Sequence, residues 1–241
     1  MAAAAEGPRA RYREQTRAEI KAVALRQLAE GGVSAVALTR IAKELGLSGP
    51  ALYRYFAGRD DLLGALISDG YDDFAVEIGV AAGAVAGRTP RERLLALADG
   101  YRAWALGQPH RYLLLLGSPL PGYVAPPETL LKARAALGPF LAVFGGARPS
   151  DAVRPAVEQF EAWARQDAQV GAWVADLLPA GRSEGAAGVA LAGAVLAWTR
   201  LHGVVGLEVE GHFTGMGHDP QVLLQVEIAT LADTFGLDRH R

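Results

Sequence analysis

Apolar residues recur at intervals of three and four along most of this chain, the spacing that places them on one side of an α-helix. The first such stripe, Ile20, Val23, Ala24 and Leu28, predicts a helix over about 12–30 that ends at Gly31-Gly32. Residues 1–11 have no period and predict a flexible arm, and Arg9, Arg11 and Arg13 are either solvated or reach along a nucleic-acid backbone or into a minor groove. Ile41, Ala42 and Leu45 form a second stripe, and Leu52 and Phe56 a third. Thr39 is placed to cap the helix of the second stripe. Gly46, just past its last apolar residue, can take the left-handed backbone of a helix stop, with Leu47 packing back over the turn. Ser48 is an N-cap for the third helix, and Pro50 fits its first turn because proline has no N–H to leave unbonded there.

A longer helix follows, from Arg59 to about Val85, with Asp60 and Asp61 in its first turn and Leu62, Leu63, Leu66, Ile67, Phe74 and Ile78 along one side. Gly87 to Pro90 breaks the pattern, and Thr89 or Arg91 opens the next helix. Beyond it the periodicity predicts helices at about 90–107, 109–117, 126–145, 150–177, 184–209 and 219–236, separated by Pro/Gly punctuation at 117–127, 178–183 and 211–219. No alternating strand pattern and no internal repeat is present. The expected fold is all-α: a basic arm over 1–11, a three-helix helix-turn-helix domain over 12–58, and a larger helical domain over 59–241.

The helix-turn-helix rests on one spacing, in which Ala42 lets the second helix approach, Gly46 makes the turn and Leu52 plugs the crossing. An ordinary helical corner meets the same requirement. The outward residues separate the two. Gly49, Tyr53, Arg54 and Tyr55 sit among apolar anchors, and such short or hydrogen-bonding side chains suit a backbone and base edges in a major groove. Leu52 and Phe56 are expected to face inward.

Charge sharpens this picture. The chain as a whole carries a net charge of −2, yet residues 1–62 balance at +3 and the remainder at −5. A basic head on an acidic body is expected where one end approaches phosphates. There are no cysteines, which excludes disulfides and thiolate metal sites. The N-terminus lacks the layout of a secretion signal, and the longest apolar run, Ala186 to Trp198, is shorter than the roughly 20 residues of a membrane helix. A soluble, cytoplasmic protein without a membrane partner is expected. The sequence contains no HExxH, no glycine-rich phosphate loop after a strand and no GxSxG elbow, so neither an enzyme nor a cofactor or metal site is expected. His202 reads as a structural residue beside Gly203, and His212 and His218 fall in a loop.

In the larger half, the aromatic residues Tyr101, Trp104, Tyr112, Phe140, Phe144, Phe160 and Trp163, with Trp173 and Trp198 beside them, are either plain core or the lining of a cavity for a small apolar ligand. Glu161, Arg165, His110 and Arg111 are candidates for polar contacts there. The segment 184–209 is rich in glycine and alanine, including Gly188 and Gly193. Glycine inside a helix costs about 1 kcal/mol relative to alanine, so its repetition points to another helix at close range. With the stripe Val222, Leu223, Val226, Ile228, Ala229, Leu231 and Phe235, this predicts a homodimer through the helices at 184–209 and 219–236, two copies forming a four-helix bundle. The alternative is that both helices pack within their own subunit.

LTRIAKELGLSGPALYRYFAGRDDLL, within the run from Ala18 to Leu66, resembles the DNA-binding domain of the tetracycline-repressor (TetR) family of bacterial regulators. One departure is Arg59, where that family more often has lysine; the charge is kept, in forked geometry. Trp198-Thr199-Arg200-Leu201-His202-Gly203, with Gln108-Pro109-His110-Arg111-Tyr112, resembles the Trp-His-Gly (WHG) class of C-terminal domain attached to such regulators. The resemblance implies a transcriptional regulator that binds double-stranded DNA, a repressor responsive to a small-molecule effector and reading a palindrome as a homodimer. Thr39, Ser48, Tyr53, Tyr55 and Arg59 would hold phosphates, while Gly49, Pro50, Ala51 and Arg54 lie near base edges. The competing expectation is a helical small-molecule carrier or adaptor whose DNA-binding head is silent.

Overall fold

The computed structural model describes residues 7–117, 126–178 and 185–237. Most of the proline-rich connection at 117–127, nearly all of the loop at 178–183 and the first six residues of the arm therefore lie outside the described residues. All regular structure among the described residues is helical. The chain divides into two units, one of residues 1–70 with 110–129 and the other of 71–109 with 130–241, the division falling inside a helix at Gly70.

The first unit begins with α1 (Pro8–Gly31), which starts four residues before the expected position. Pro8 supplies the fixed φ of a first helical turn and lacks the N–H that would go unbonded there. Arg9 and Arg11 are thus helical rather than part of an arm. Residues 7–15 are all exposed, so these turns carry no apolar period by which a sequence could reveal them. Ile20, Val23, Ala24 and Leu28 are buried as expected.

After a single 3-10 turn at Val33–Ala35 comes α2 (Leu38–Glu44). Thr39 does not cap it: it is exposed within the first turn, and the helix begins at Ala37 without a capping side chain of its own. Instead Gln27, 1% exposed in α1, accepts a hydrogen bond from the Ala37 N–H at 2.9 Å. This bond holds the N–H of the N-cap residue from ten positions upstream, a contact that no local pattern shows.

α2 closes as expected. Gly46 has φ +65°, its N–H donates to the Lys43 carbonyl, and the Leu47 N–H donates to the Ala42 carbonyl at 2.8 Å. This pair of bonds is the Schellman stop. α3 (Gly49–Tyr53) follows, with the Ser48 hydroxyl accepting from the Ala51 N–H at 3.3 Å. α4 (Arg59–Ala84) then runs without a break for 26 residues, its first turn carrying Asp60 and Asp61, and Asp61 accepts from the Ala57 N–H at 2.8 Å. Leu62 and Leu63 are buried. α6 (Pro109–Leu116) also belongs largely to this unit, and Gly70 leaves room for its Leu115, whose Cδ1 would lie 2.6 Å from a Cβ at that position.

The second unit contains α5 (Pro90–Gly107), α7 (Pro127–Phe144), α8 (Arg154–Gln166), α9 (Ala168–Leu177), α10 (Ala186–Val209) and α11 (Pro220–Thr234). Thr89 opens α5 with a reciprocal capping box to Glu92. The helix expected over 150–177 is a 3-10 turn followed by two helices. Asp167 breaks it at extended φ and ψ, because its carboxylate accepts the N–H groups of Gln169 at 2.9 Å and Val170 at 3.1 Å and so starts α9 afresh. Apolar spacing carries straight through that break, so periodicity does not detect it.

α10 lies at the centre of this unit, against α8, α11, α5 and α9. By length and composition this 24-residue helix could cross a membrane, a property hidden by counting only its uninterrupted apolar run. Leu191, Ala192, Ala194, Ala197, Leu201 and Val205 are instead buried within the unit. Two bidentate or buried ion pairs tie α5 to its neighbours. Arg102 meets Glu208 of α10 through two bonds of 2.8 and 2.5 Å, and Arg91 meets Asp233 of α11 at 2.6 Å. The hydrogen bond that Arg102 donates to Glu208 raises the Arg102 pKa above its ordinary value, against the opposing effect of burial. α11 ends as α2 does: Gly236 has φ +59° and the Leu237 N–H returns to the Ala232 carbonyl at 2.9 Å.

Candidate nucleic-acid interface and effector cavity

α3 separates its faces sharply. Leu52 and Phe56 are each 1% exposed, whereas Ser48, Gly49, Pro50, Tyr53 and Arg54 stand in solvent and Ala51 and Tyr55 are half-buried. Five residues of helix offer little more than one turn, so the position of α3 depends on what surrounds it. Arg17 supplies part of that support: its guanidinium donates to the Tyr55 carbonyl and lies 4.2 Å from the Phe56 ring centroid. The end of α3 is thereby bound to α1.

The basic residues of this unit fall into two groups. Lys21 pairs with Asp69 at 2.7 Å, Arg40 with Glu30 at 2.6 Å and Arg26 with Glu44. Arg59 turns inward, its Nε donating to the Val36 carbonyl at 3.0 Å and a terminal nitrogen to that of Val33 at 2.5 Å. It fastens the start of α4 to the segment between α1 and α2, which uses two of the five N–H groups that would otherwise face a phosphate. Arg9, Arg11, Arg13, Lys43 and Arg54 have no hydrogen-bonding or ionic partner among the described residues. Of the sequence's positive surplus, these are the charges left for a partner.

The seven aromatic residues proposed to meet a ligand divide as well. Tyr101, Trp104, Phe140 and Phe144 are buried in the second unit and Tyr112 is buried in the first. Tyr101 and Trp104 pack ring to ring with Phe74 at centroid distances of 5.4 and 4.7 Å, and Phe144 packs on Phe235 at 4.9 Å. Phe160 and Trp163 lie 6.2 Å apart on α8. A cavity of about 230 Å³ lies among α7, α8, α9 and α10, and Trp163 is the one member of the seven that lines it. The other lining residues include Leu137, Leu141, Trp173, Leu191, Arg134 and Asp167. Trp173 was among the aromatic residues expected from the sequence; the others escaped it because most are aliphatic, and aliphatic residues on an amphipathic helix look the same whether they fill a core or surround a void. Among the described residues, no group of three or more His, Cys, Asp or Glu stands where it could hold a metal ion. His202 stacks on Trp198 at 5.8 Å, one helical turn earlier.

The small residues of α10 meet their own subunit. A Cβ on Gly188 would stand 2.5 Å from the Val157 carbonyl oxygen of α8, and one on Gly193 would stand 2.3 Å from the Phe144 ring of α7. The close approach inferred from these glycines is real, but the partners are α8 and α7. On α11, Ile228, Leu231 and Phe235 are buried, while Val222 and Val226 are each 56% exposed.

Comparison with known proteins agrees with this geometry. Residues 20–66 match the model of bacterial regulatory proteins of the tetR family, and residues 94–231 that of the tetracyclin repressor-like C-terminal domain. The HTH-type transcriptional regulator Rv1816 of Mycobacterium tuberculosis is 39% identical over 122 residues, which are 51% of this chain and 52% of that protein. The chain thus spans about half the length of the curated relatives it matches. The solved structure of the candidate regulatory protein SCO4313 is 38% identical and aligns with a TM-score of 0.75 over 94% of this chain and 100% of that one. The transcriptional regulator FadR from Bacillus subtilis, solved in complex with stearoyl-CoA, shares the fold alone, at 16% identity and a TM-score of 0.50 over 88% of this chain and 96% of that one. With one model covering the helix-turn-helix and a second covering more than half of the chain, this protein belongs to the tetR family of bacterial regulatory proteins.

Proposed function

We propose that this chain is a DNA-binding transcriptional repressor that works as a homodimer in the cytoplasm and is controlled by a small molecule held in its second unit. The observation that carries the reading is the division of α3. Its apolar side is closed by Leu52 and Phe56, and its other side leaves Ser48, Gly49, Pro50, Tyr53 and Arg54 exposed, with Arg54 unpaired among the described residues. Family membership supports the same assignment. In a major groove, Gly49, Pro50, Ala51 and Arg54 would approach base edges, with Thr39, Ser48, Tyr53 and Tyr55 on phosphates. Arg59 would act chiefly by holding α4, given its bonds to Val33 and Val36.

The dimer would use the outward positions of α10 and α11, where Thr199, Gly203 and Leu207 are exposed and Val222 and Val226 stand out from the last helix. Two copies would set their α3 helices at half-sites about 34–36 Å apart or a multiple of that spacing. A ligand that binds one arrangement of the dimer more tightly than the other would shift the population and release or retain DNA. α4, continuous from Arg59 to Ala84, is the element through which such a shift would pass.

The decisive experiment is a fluorescence-anisotropy titration of the full chain against DNA from directly upstream of its own gene, with excess nonspecific competitor at physiological salt. Tight, competitor-resistant binding with two subunits per site is the expected result. Weak binding abolished by salt, there and at other promoter fragments, would favour the carrier with a silent head.

A further inference from the structure

The cavity among α7, α8, α9 and α10 has a lining specific enough to name a class of ligand, and the inference rests on the effector-responsive reading above. Most of its wall is aliphatic or aromatic, from Leu137, Leu141, Leu191, Trp163 and Trp173. An apolar cavity of about 150 Å³ takes a benzene molecule, so by proportion a volume of about 230 Å³ takes roughly nine heavy atoms.

Two charged side chains reach this space, and they differ in what they already hold. Asp167 is committed: its carboxylate accepts the N–H groups of Gln169 and Val170 and sits at the positive end of α9. Arg134 is not. It makes no hydrogen bond or ion pair among the described residues, and its guanidinium lies over the Trp173 ring at 5.6 Å from the centroid. A guanidinium that rests near an indole and has no hydrogen-bonded partner keeps its N–H fork available, and that fork can receive a carboxylate through two bonds. The geometry points to a binding site for a small monoanionic amphiphile, with a body of about eight carbons or two fused rings in the cavity and its carboxylate on Arg134. A cationic ligand would meet Arg134 with like charge, and a neutral one would leave its fork unanswered.

Matched pairs of probes test this on the full chain. Isothermal titration with octanoate and 2-naphthoate, and with their neutral counterparts 1-octanol and 2-naphthylmethanol, separates the charge from the body. Quenching of tryptophan fluorescence reports occupancy beside Trp163 and Trp173. At least one acid should bind about tenfold or more tighter than its alcohol, the scale of a hydrogen bond to a charged group. Arg134→Gln, which keeps the side-chain stem, should remove that preference while leaving the alcohol unchanged and the thermal unfolding profile intact. Ala133→Phe, at a half-buried lining position, should block acid and alcohol alike. Equal affinity of acid and alcohol, an acid preference that survives Arg134→Gln, or no binding of either acid overturns the inference.

Adding operator DNA keeps this result apart from the broader reading. An acid that binds through Arg134 and leaves operator affinity unchanged would preserve the site and remove its regulatory role. A different molecule that releases DNA equally from the wild type and from Arg134→Gln would preserve the regulator and remove this site.

Discussion

α3 and α10 present opposite solutions to the same problem, what a helix does with the faces that its immediate neighbours in sequence do not cover. α3 is five residues long, and at its end stand the exposed side chains of Tyr53 and Arg54, which have no hydrogen-bonding partner among the described residues. α10 is 24 residues long, and most of its circumference is occupied by α8, α11, α5 and α9. Both helices contain or adjoin small residues, and in both a small residue permits close approach. At Gly49 no atom of the chain lies within 4 Å of where a Cβ would be, whereas at Gly193 the Phe144 ring is already there. The same residue type is therefore an opening for a partner in one helix and the mark of a filled interior contact in the other.

The most severe test of this contrast is Gly193→Ala, alone and with Gly188→Ala. Phe144 is fully buried, and Gly188 faces backbone atoms of α8, so neither neighbour can withdraw freely. Each substitution should destabilise the folded subunit by about 2–3 kcal/mol, the upper range for overpacking. Urea unfolding would show a loss at every protein concentration. A change that instead appears only as weaker dimer association in ultracentrifugation would return α10's glycines to an interface between copies.

Arg54→Ala addresses the other helix. Stability should be unaffected, since the side chain has no partner to lose, while affinity at a subset of base pairs falls by about 1–3 kcal/mol if the guanidinium meets a base edge. An operator library titrated against wild type and variant would show relaxed preference at those positions. Uniform loss would move Arg54 to the phosphates.

Gly46→Ala is a backbone test with a smaller expected effect. Nothing lies within 4 Å of the added Cβ, so the cost arises from φ +65° alone, about 1–2 kcal/mol in thermal unfolding. Asparagine, which tolerates this conformation better, should recover part of it. Equal stabilities of the alanine and glycine forms would show that the turn between α2 and α3 relaxes.

Tyr53→Ala should change stability least, by under about 0.5 kcal/mol, because the ring is 56% exposed. It should weaken binding evenly across DNA sequences and reduce the salt dependence, as loss of a phosphate contact does. Selective loss at one base pair would place Tyr53 beside Arg54 as a reader.

What could be read without coordinates follows the range of the interactions involved. Gly46, Leu47 and Ser48 settle their conformations with atoms at most five residues away, and the structure places the stop, the turn and the cap where their spacing predicts. The inward faces of Leu52 and Phe56 follow from the same local period. Thr39 falls inside the first turn of α2 rather than at its cap, and the N–H of the N-cap residue, Ala37, goes to Gln27, distant in sequence. Arg59 was expected at a phosphate and is found on the carbonyls of Val33 and Val36, acceptors 26 and 23 residues away. The cavity beside Arg134 was hidden for a related reason: four helices contribute to its lining, and a void leaves no trace in any one helix's pattern of apolar residues.

By itself, then, the sequence determined which segments are helical, apart from the first turn of α1 and the break at Asp167, how α2 hands over to α3, and the positive surplus of the first 62 residues, because periodicity, caps and charge are properties of neighbouring positions. Only the tertiary structure decided which cations remain unpaired, which glycines have their space filled, and where four apolar faces fail to meet. Those outcomes depend on atoms brought together from distant parts of the chain, through contacts whose geometry is fixed only once the helices pack.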